Sequence, residues 1–325
     1  MVIDAPTFWI DVHPVSFLKF TRKLEEYSPL DNVRASVYSF SEPTFREVFA
    51  LYLKRCQANS TLFFLDGSTE VLNIDIVKFL LDSFEKLDGL VIYTNGPDNS
   101  SVDLNTLEKL GAVVNVLPFF LLNEREYKSY EGSLPHEYKL YSLLTGTPKF
   151  ERSVMVGLLS AYNILDKGHI SYFGVHHNNV LQDHIKKIEK DSTCPPSLRA
   201  ACIRGLSSIT GDLIVDEPQF SHDLGVGRAY NLLPYRYSDI HIIMESHFFS
   251  DIAFYTEKIV KPVQQGNRLL LAWTPNKLSK VYEAVKKHMG KDIYHLLYWG
   301  DSNYDKEPNL YIRFNLICRE LLKEL

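Results

Sequence analysis

The sequence predicts an α/β protein of two domains, each a mostly parallel sheet covered by helices. Short apolar strands alternate with amphipathic helical segments along most of the 325 residues. That length exceeds what one hydrophobic core usually serves. A polar stretch with Gly132, Ser133 and Pro135 separates two such series. We therefore expect domains over residues 1–134 and 135–308, and a C-terminal helix over 309–325 that is available to pack on the first domain.

The elements of the first domain follow from apolar runs and helical spacing. Within residues 75–86, for example, Ile76, Phe79, Leu80 and Phe84 recur on one helical face. The predicted strands are 7–10, 33–38, 61–65, 90–93 and 113–117, and the predicted helices are 46–58, 75–86 and 102–110.

The second domain repeats the alternation, with Gly and Pro residues at its turns. Gly168 and Gly266 are expected to end helices. The predicted strands are 139–144, 169–173, 239–244 and 268–272; the predicted helices are 151–165, stretches within 183–209, one opening at Thr256, 276–288 and 309–325. Because open parallel sheets bind ligands at the carboxyl ends of their strands, functional residues are expected just after strands, in a cleft between the domains.

Composition excludes several classes of protein. Hydrophobic residues make up 45% and charged residues 23%, which is typical of a soluble globular enzyme. The net charge of -5 favours neither nucleic acid nor anionic lipid as a partner. The four cysteines form no CxxC pair, which argues against a zinc site or a disulfide framework. With no secretory signal and no apolar run long enough for a transmembrane segment, we expect a cytoplasmic protein.

The densest functional signal is Thr256-Glu257-Lys258, which opens a helix after the strand ending at Glu245-Ser246. A helix start presents free N–H groups and the positive end of the helix dipole, which suit a phosphate. Lys258 adds a positive charge, and Glu257 can accept two hydroxyl hydrogen bonds, as a ribose diol requires. The plainer alternative is that Thr256 is an N-cap, Glu257 a favourable first-turn acid and Lys258 a solvated side chain.

A second strand–turn–helix start carries Lys149 and Arg152 within the run TGTPKFER. Arginine binds phosphate bidentately and lysine binds it as a point charge. The alternative for Arg152 is a surface position paired with Glu151 or Asp166.

Taken together, TGTPKFER, the ESHFF strand end and FYTEKIVKPVQQGNRLLL resemble the donor-binding domain of GT-B glycosyltransferases. The similarity is to the α1,3-fucosyltransferase group and to related viral and bacterial enzymes with a TEK-x-x-KP motif, and it covers about residues 138–275. It implies two Rossmann-like domains with a cleft between them. It also implies inverting transfer of a sugar from a UDP- or GDP-linked donor to a hydroxyl of a glycan or glycoconjugate.

The resemblance also assigns residues to the donor. By position, Glu257 would hold the ribose, while Lys258 and Arg152 would hold the diphosphate. Glu245 and Ser246 would contact the donor sugar or the edge of the ribose.

Phe254 would lie next to the base of the donor. Ser246 stands where asparagine is common in the fucosyltransferases, and the loop over residues 248–253 differs from theirs. The donor sugar and base therefore stay open.

No Asp-x-Asp pair occurs, so cationic side chains and helix ends would replace a metal on the diphosphate. We expect no required metal and no cofactor besides the nucleotide-sugar substrate. Inverting transfer needs a general base. Asp66, Asp11 and His13 follow predicted strands and are the candidates, although turn or helix capping is the common role of such aspartates.

Two other functions fit the same pattern. One is a non-catalytic nucleotide-sugar or glycan binding module with this fold. The other is a different α/β enzyme, such as a phosphorylase or an epimerase.

Overall fold

The chain divides into two compact units by its backbone contacts. The first unit comprises residues 1–122 with 250–254, and the second comprises residues 123–249 with 255–325. A computed structural model describes residues 7–11, 33–36, 43–58, 60, 62–67, 74–94, 104–116, 121, 128–130, 137–146, 148–172, 180–213, 215, 229–245 and 255–325. In this part of the chain, no helix has both the length and the apolar character needed to cross a membrane.

The first unit contains a parallel sheet with strand order β2-β1-β3-β4-β5. Its strands are β1 (Thr7–Asp11), β2 (Val33–Ser36), β3 (Phe63–Gly67), β4 (Leu90–Thr94) and β5 (Val113–Val116). Its helices are α1 (Pro43–Ala58), α2 (Ile74–Ser83) and α3 (Leu104–Lys109).

Burial of one face of each helix forms the core of this unit. In α2, Ile76 and Leu80 are fully buried while Lys78 faces solvent, as the helical spacing predicts. The ring of Phe49 in α1 lies 5.0 Å from that of Phe63 in β3. Aromatic packing of this kind adds to the free energy gained from burial alone.

The second unit contains a parallel sheet with strand order β11-β10-β7-β8 and a separate parallel pair, β6 and β9. The strands are β6 (Lys128–Tyr130), β7 (Lys139–Gly146), β8 (Gly168–Tyr172), β9 (Ala229–Asn231), β10 (Ser238–Ile243) and β11 (Arg268–Leu271). The helices are α4 (Phe150–Ala161), α5 (Val180–Lys190), α6 (Pro196–Ser207), α7 (Leu233–Arg236), α8 (Glu257–Gln265), α9 (Leu278–Met289), α10 (Tyr294–Leu297) and α11 (Leu310–Lys323).

The strand order of the second sheet creates a topological switch point. From β7 the chain crosses through α4 to β8 on one side, and from the neighbouring β10 it crosses through α8 to β11 on the other. Right-handed crossovers that leave in opposite directions place their helices on opposite faces of the sheet. The switch point therefore lies between the carboxyl ends of β7 and β10, the place where ligands bind in sheets of this kind.

The α/β class with parallel sheets is confirmed, but some predicted boundaries shift. Helix α4 ends at Ala161 instead of residue 165, because Asn163 takes a positive φ of 58° and a short 3₁₀ turn follows at Leu165–Lys167. Strand β7 continues to Gly146, two residues beyond its predicted end. Helix α8 begins at Glu257 and contains Pro262, although the missing N–H of a proline disfavours the interior of a helix.

The C-terminal helix α11 packs against α4 and α6 in the second unit. The side chain of Tyr162, at the end of α4, donates a hydrogen bond to Asn315 in α11. The sequence left this helix available to the first domain, whereas the packing described for it lies within the second unit.

Candidate functional site

The start of helix α4 lies at the carboxyl end of β7. Arg152, in the first turn of α4, is 3% exposed, and its Nη1 donates a hydrogen bond of 2.7 Å to the carbonyl of Thr145 near the end of that strand. The surface alternative for Arg152 is therefore wrong. Lys149 occupies the N-cap position, and its side chain makes no capping hydrogen bond. The amides of the first turn precede the first helical bond, from Ser153 N to Lys149 O, and point out of the helix.

The start of helix α8 lies beyond the carboxyl end of β10, the strand next to β7. Thr256 is the N-cap, and its Oγ1 accepts hydrogen bonds from the amide of Lys258 at 3.3 Å and from the ammonium of Lys258 at 3.4 Å. Glu257 begins the helix with its backbone; its side chain lies outside the described part. Thr256 is thus an N-cap, as the plainer alternative held, and the charge of Lys258 is held close to the helix start.

Glu245 connects the end of β10 to this helix start. Its side chain is fully buried, and its two carboxylate oxygens accept hydrogen bonds from the amide of Thr256 at 3.1 Å and from Thr256 Oγ1 at 2.5 Å. Charge-assisted bonds of this type are stronger than neutral ones and make the burial of a carboxylate tolerable. The resemblance implied a contact between Glu245 and the donor; the described geometry instead gives Glu245 the task of holding the helix start.

Tyr255, which precedes the N-cap, makes contacts that the sequence did not predict. Its hydroxyl donates a hydrogen bond of 3.0 Å to Lys280 O, and its ring stands edge-on to Trp273 at 6.4 Å. Burial raises the pKa of the Tyr255 hydroxyl well above its usual value. An aromatic residue directly before the TEK motif was the available signal.

A polar cluster beside α4 was also missed. Ser153 Oγ lies 2.6 Å from Tyr172 Oη at the end of β8 and 2.6 Å from His184 Nδ1 in α5. Tyr172 and His184 are 19 and 31 positions from Ser153 in the sequence, so the cluster cannot be predicted from local periodicity. Burial, followed by the charge of Lys187, lowers the pKa of His184.

The candidate bases Asp11 and Asp66 share a second switch point. Asp11 ends β1, and Asp66 lies in β3, where it is in register with Trp9. The strands are neighbours, and β2 and β4 flank them on opposite sides. The structure describes the backbone of both aspartates and not their side chains, while His13, Ser246 and Phe254 lie outside the described residues.

Among curated proteins, the chain is similar to a 3-isopropylmalate dehydratase small subunit from Buchnera aphidicola subsp. Diuraphis noxia. The two are 27% identical over 104 residues, which are 32% of this chain and 48% of that subunit. The similarity therefore spans about half the length of the relative. No family model matches the chain, and no solved structure matches it.

Proposed function

We propose that the protein is a GT-B glycosyltransferase that moves a sugar from a UDP- or GDP-linked donor to a glycan hydroxyl, with inversion and without a required metal. The observation that carries this proposal is the pairing of two helix starts at one switch point. One follows β7 with Lys149 and Arg152, and the other follows β10 with Thr256 and Lys258. Two partial positive helix ends and three cationic side chains match the charge of a diphosphate.

The proposed chemistry depends on stabilising the leaving group. When the bond between the sugar and the diphosphate breaks, negative charge grows on the diphosphate oxygens. Prearranged cations and amide groups lower the energy of that state more than the energy of the bound donor. Lys149 and Lys258 would act as point charges on the phosphate oxygens. Arg152, buried and hydrogen-bonded to the carbonyl of Thr145, would add its positive charge from within the protein. The acceptor hydroxyl would lose its proton to Asp11, Asp66 or His13.

Replacement of Lys258 by Ala tests the diphosphate assignment. We expect the affinity for UDP or GDP, whichever binds, to fall roughly 10- to 100-fold, because a charge-assisted contact is lost. Isothermal titration calorimetry measures this change. Lys287→Ala is the matched control, since Lys287 is an exposed lysine of α9 and its removal should leave the affinity unchanged.

Absence of binding would contradict the proposal. If the wild-type chain binds neither UDP nor GDP at millimolar concentration, with and without Mg²⁺, the protein is not a glycosyltransferase of this kind. If a nucleotide binds equally to wild type and Lys258→Ala, the diphosphate lies elsewhere.

Turnover separates the enzyme from a non-catalytic binding module. Wild type should release the nucleotide from its donor when a glycan acceptor is present, and Asp11→Asn or Asp66→Asn should abolish that release without affecting binding. A chain that binds the donor yet never turns it over is the binding module.

A further inference from the structure

Ser153 ties the start of α4 to two other elements. Besides its contacts with Tyr172 in β8 and His184 in α5, its Oγ lies 3.2 Å from the carbonyl of Lys149. A serine hydroxyl has one proton to donate and two lone pairs that accept. The carbonyl of Lys149 only accepts. Whether Nδ1 of His184 carries a proton therefore decides which neighbour receives the single proton of Ser153.

Two hydrogen-bond patterns satisfy this geometry. When Nδ1 of His184 carries no proton, Ser153 donates to it and accepts from Tyr172. When Nδ1 carries a proton, as it always does in the charged ring, it donates, so Ser153 accepts from His184 and Tyr172 and turns its own proton toward Lys149 O. The second pattern adds a hydrogen bond to the carbonyl of the N-cap residue and fixes the first turn of the helix.

We propose that His184 is a positioning residue for the phosphate-binding turn of α4. Acting through Ser153, it holds Lys149 and Arg152 in place, and in its protonated form it adds positive charge near the amides that receive a phosphate. The proposal rests on the proposed function, because it assumes an anionic ligand at this turn. It makes anion binding and protonation of His184 mutually favourable.

Several groups face His184. On its own helix, Asp183 favours the protonated form and Lys187 opposes it. From α4, the ring of Phe150 stands edge-on to the ring of His184, with 5.7 Å between the ring centres. The ammonium of Lys187 lies over the Phe150 ring, 4.0 Å from its centre. From β8, the hydroxyl of Tyr172 reaches Ser153, and burial raises its pKa, so it stays neutral.

These surroundings set the direction of the pH dependence. Burial and Lys187 lower the pKa of His184 below its ordinary value of 6.5, so the free protein holds it mainly neutral at pH 7. A bound diphosphate raises that pKa. The contribution of His184 to affinity should therefore grow as the pH falls from 7.5 to 5.5, by roughly threefold, the effect of one charge that solvent partly screens.

Calorimetric titration of the full chain with UDP and GDP at pH 5.5, 6.5 and 7.5 tests the proposal. The terminal phosphate of the nucleotide titrates near pH 6 in the same range, so each variant is compared with wild type. His184→Asn keeps a polar atom near the position of Nδ1 but does not titrate. It should match wild type at pH 7.5 and bind roughly threefold more weakly than wild type at pH 5.5.

Two further variants complete the comparison. Ser153→Ala removes the hydroxyl that contacts Lys149, Tyr172 and His184, and it should weaken nucleotide binding at all three pH values. His288→Asn is the matched control, because His288 is a partly buried histidine of α9 whose pKa is also lowered by burial, and its profile should follow that of wild type. NMR titration of the His184 ring in wild type should show its pKa rising when the nucleotide is added.

The outcomes separate the two proposals. If nucleotide binds but His184→Asn and wild type have the same pH profile, or if the His184 pKa does not move with nucleotide, the positioning role is wrong and the glycosyltransferase proposal stands. If wild type binds no nucleotide at any of these pH values, both proposals are overturned.

Discussion

At the scale of single residues, the candidate site depends on a buried carboxylate. Glu245 accepts both hydrogen bonds that Thr256 can donate, so Thr256 Oγ1 retains lone pairs only for Lys258. The N-cap alternative and the phosphate alternative are therefore compatible. The side chain of Thr256 caps the amide of Lys258, and its carbonyl accepts from the amide of Ile259. A phosphate at this helix start would therefore depend mainly on the charge of Lys258 and on the positive end of the helix dipole.

A second buried residue, His241, predicts how stability depends on pH. It lies within β10, 2% exposed, with Nδ1 2.7 Å from Ser142 Oγ and its ring 4.9 Å from that of Tyr235. Burial, and then the charge of Lys261, lowers its pKa to about 3. In the unfolded chain the pKa is about 6.5. Between these values the unfolded state binds more protons than the folded state.

This difference stabilises the fold fully above pH 6.5 and is lost as the pH falls toward 3. The free energy of unfolding should therefore drop by up to about 1.4 kcal/mol per pH unit below pH 6 from this residue alone. Urea denaturation of wild type and His241→Asn at pH 7.5, 6.0 and 5.0 measures it. The variant should be less stable than wild type at pH 7.5, and its free energy of unfolding should depend less steeply on pH. Equal slopes of the free energy of unfolding against pH would show that His241 does not cause the loss of stability at low pH.

At the scale of elements, helices α4 and α6 pack closely against each other at two glycines. A Cβ on Gly205 would lie 1.9 Å from the carbonyl oxygen of Gly157, and a Cβ on Gly157 would lie 2.8 Å from Leu206. Both glycines are buried within helices. The helices can approach this closely only because both positions lack side chains.

Gly205→Ala should therefore destabilise the second unit by about 1–3 kcal/mol, because the helices must move apart. The melting temperature and the urea midpoint report the change. Gly211→Ala is the matched control, since a Cβ there meets nothing within 4 Å and should alter stability by less than about 0.5 kcal/mol. A Gly205→Ala variant as stable as wild type would mean that the helices repack at no cost.

Elements show which structural features the sequence could predict. Strands such as β3, β4, β10 and β11 follow from apolar runs, and α2 follows from helical spacing, because each is specified by neighbours along the chain. The parallel pair β6–β9 has three residues in each strand, about 100 positions apart, and its pairing is not visible in local periodicity. Helices α7 and α10 have four residues each, too few to establish a period.

The candidate site divides in the same way. Lys149, Arg152, Thr256 and Lys258 could be predicted because each stands at a helix start marked by local residues. The bonds around Ser153 join three elements, so they depend on how the chain folds back. The switch point likewise depends on strand order, which local patterns do not specify.

For the whole molecule, the division into two units separates the residues proposed to bind the donor from the candidate bases. Lys149, Arg152, Thr256 and Lys258 belong to the second unit, whereas Asp11 and Asp66 belong to the first. Each set lies at the switch point of its own parallel sheet. A nucleotide without its sugar and acceptor should therefore bind to the second unit. Its binding site can be located without measuring sugar transfer.

Hydrogen exchange with mass spectrometry makes this a test of the whole chain. With UDP or GDP at about ten times its dissociation constant, exchange should slow roughly tenfold in peptides covering residues 148–156 and 256–262, because first-turn amides gain a phosphate partner and local opening requires release of the ligand. The helix α2 and strand β4, over residues 74–94, provide an internal reference in the first unit that should not change. The Lys258→Ala variant at the same nucleotide concentration should keep at most about twofold slowing, because its affinity should be roughly 10- to 100-fold lower. Protection confined to residues 74–94, or absent from both helix starts while calorimetry reports binding, would place the nucleotide away from the switch point between β7 and β10.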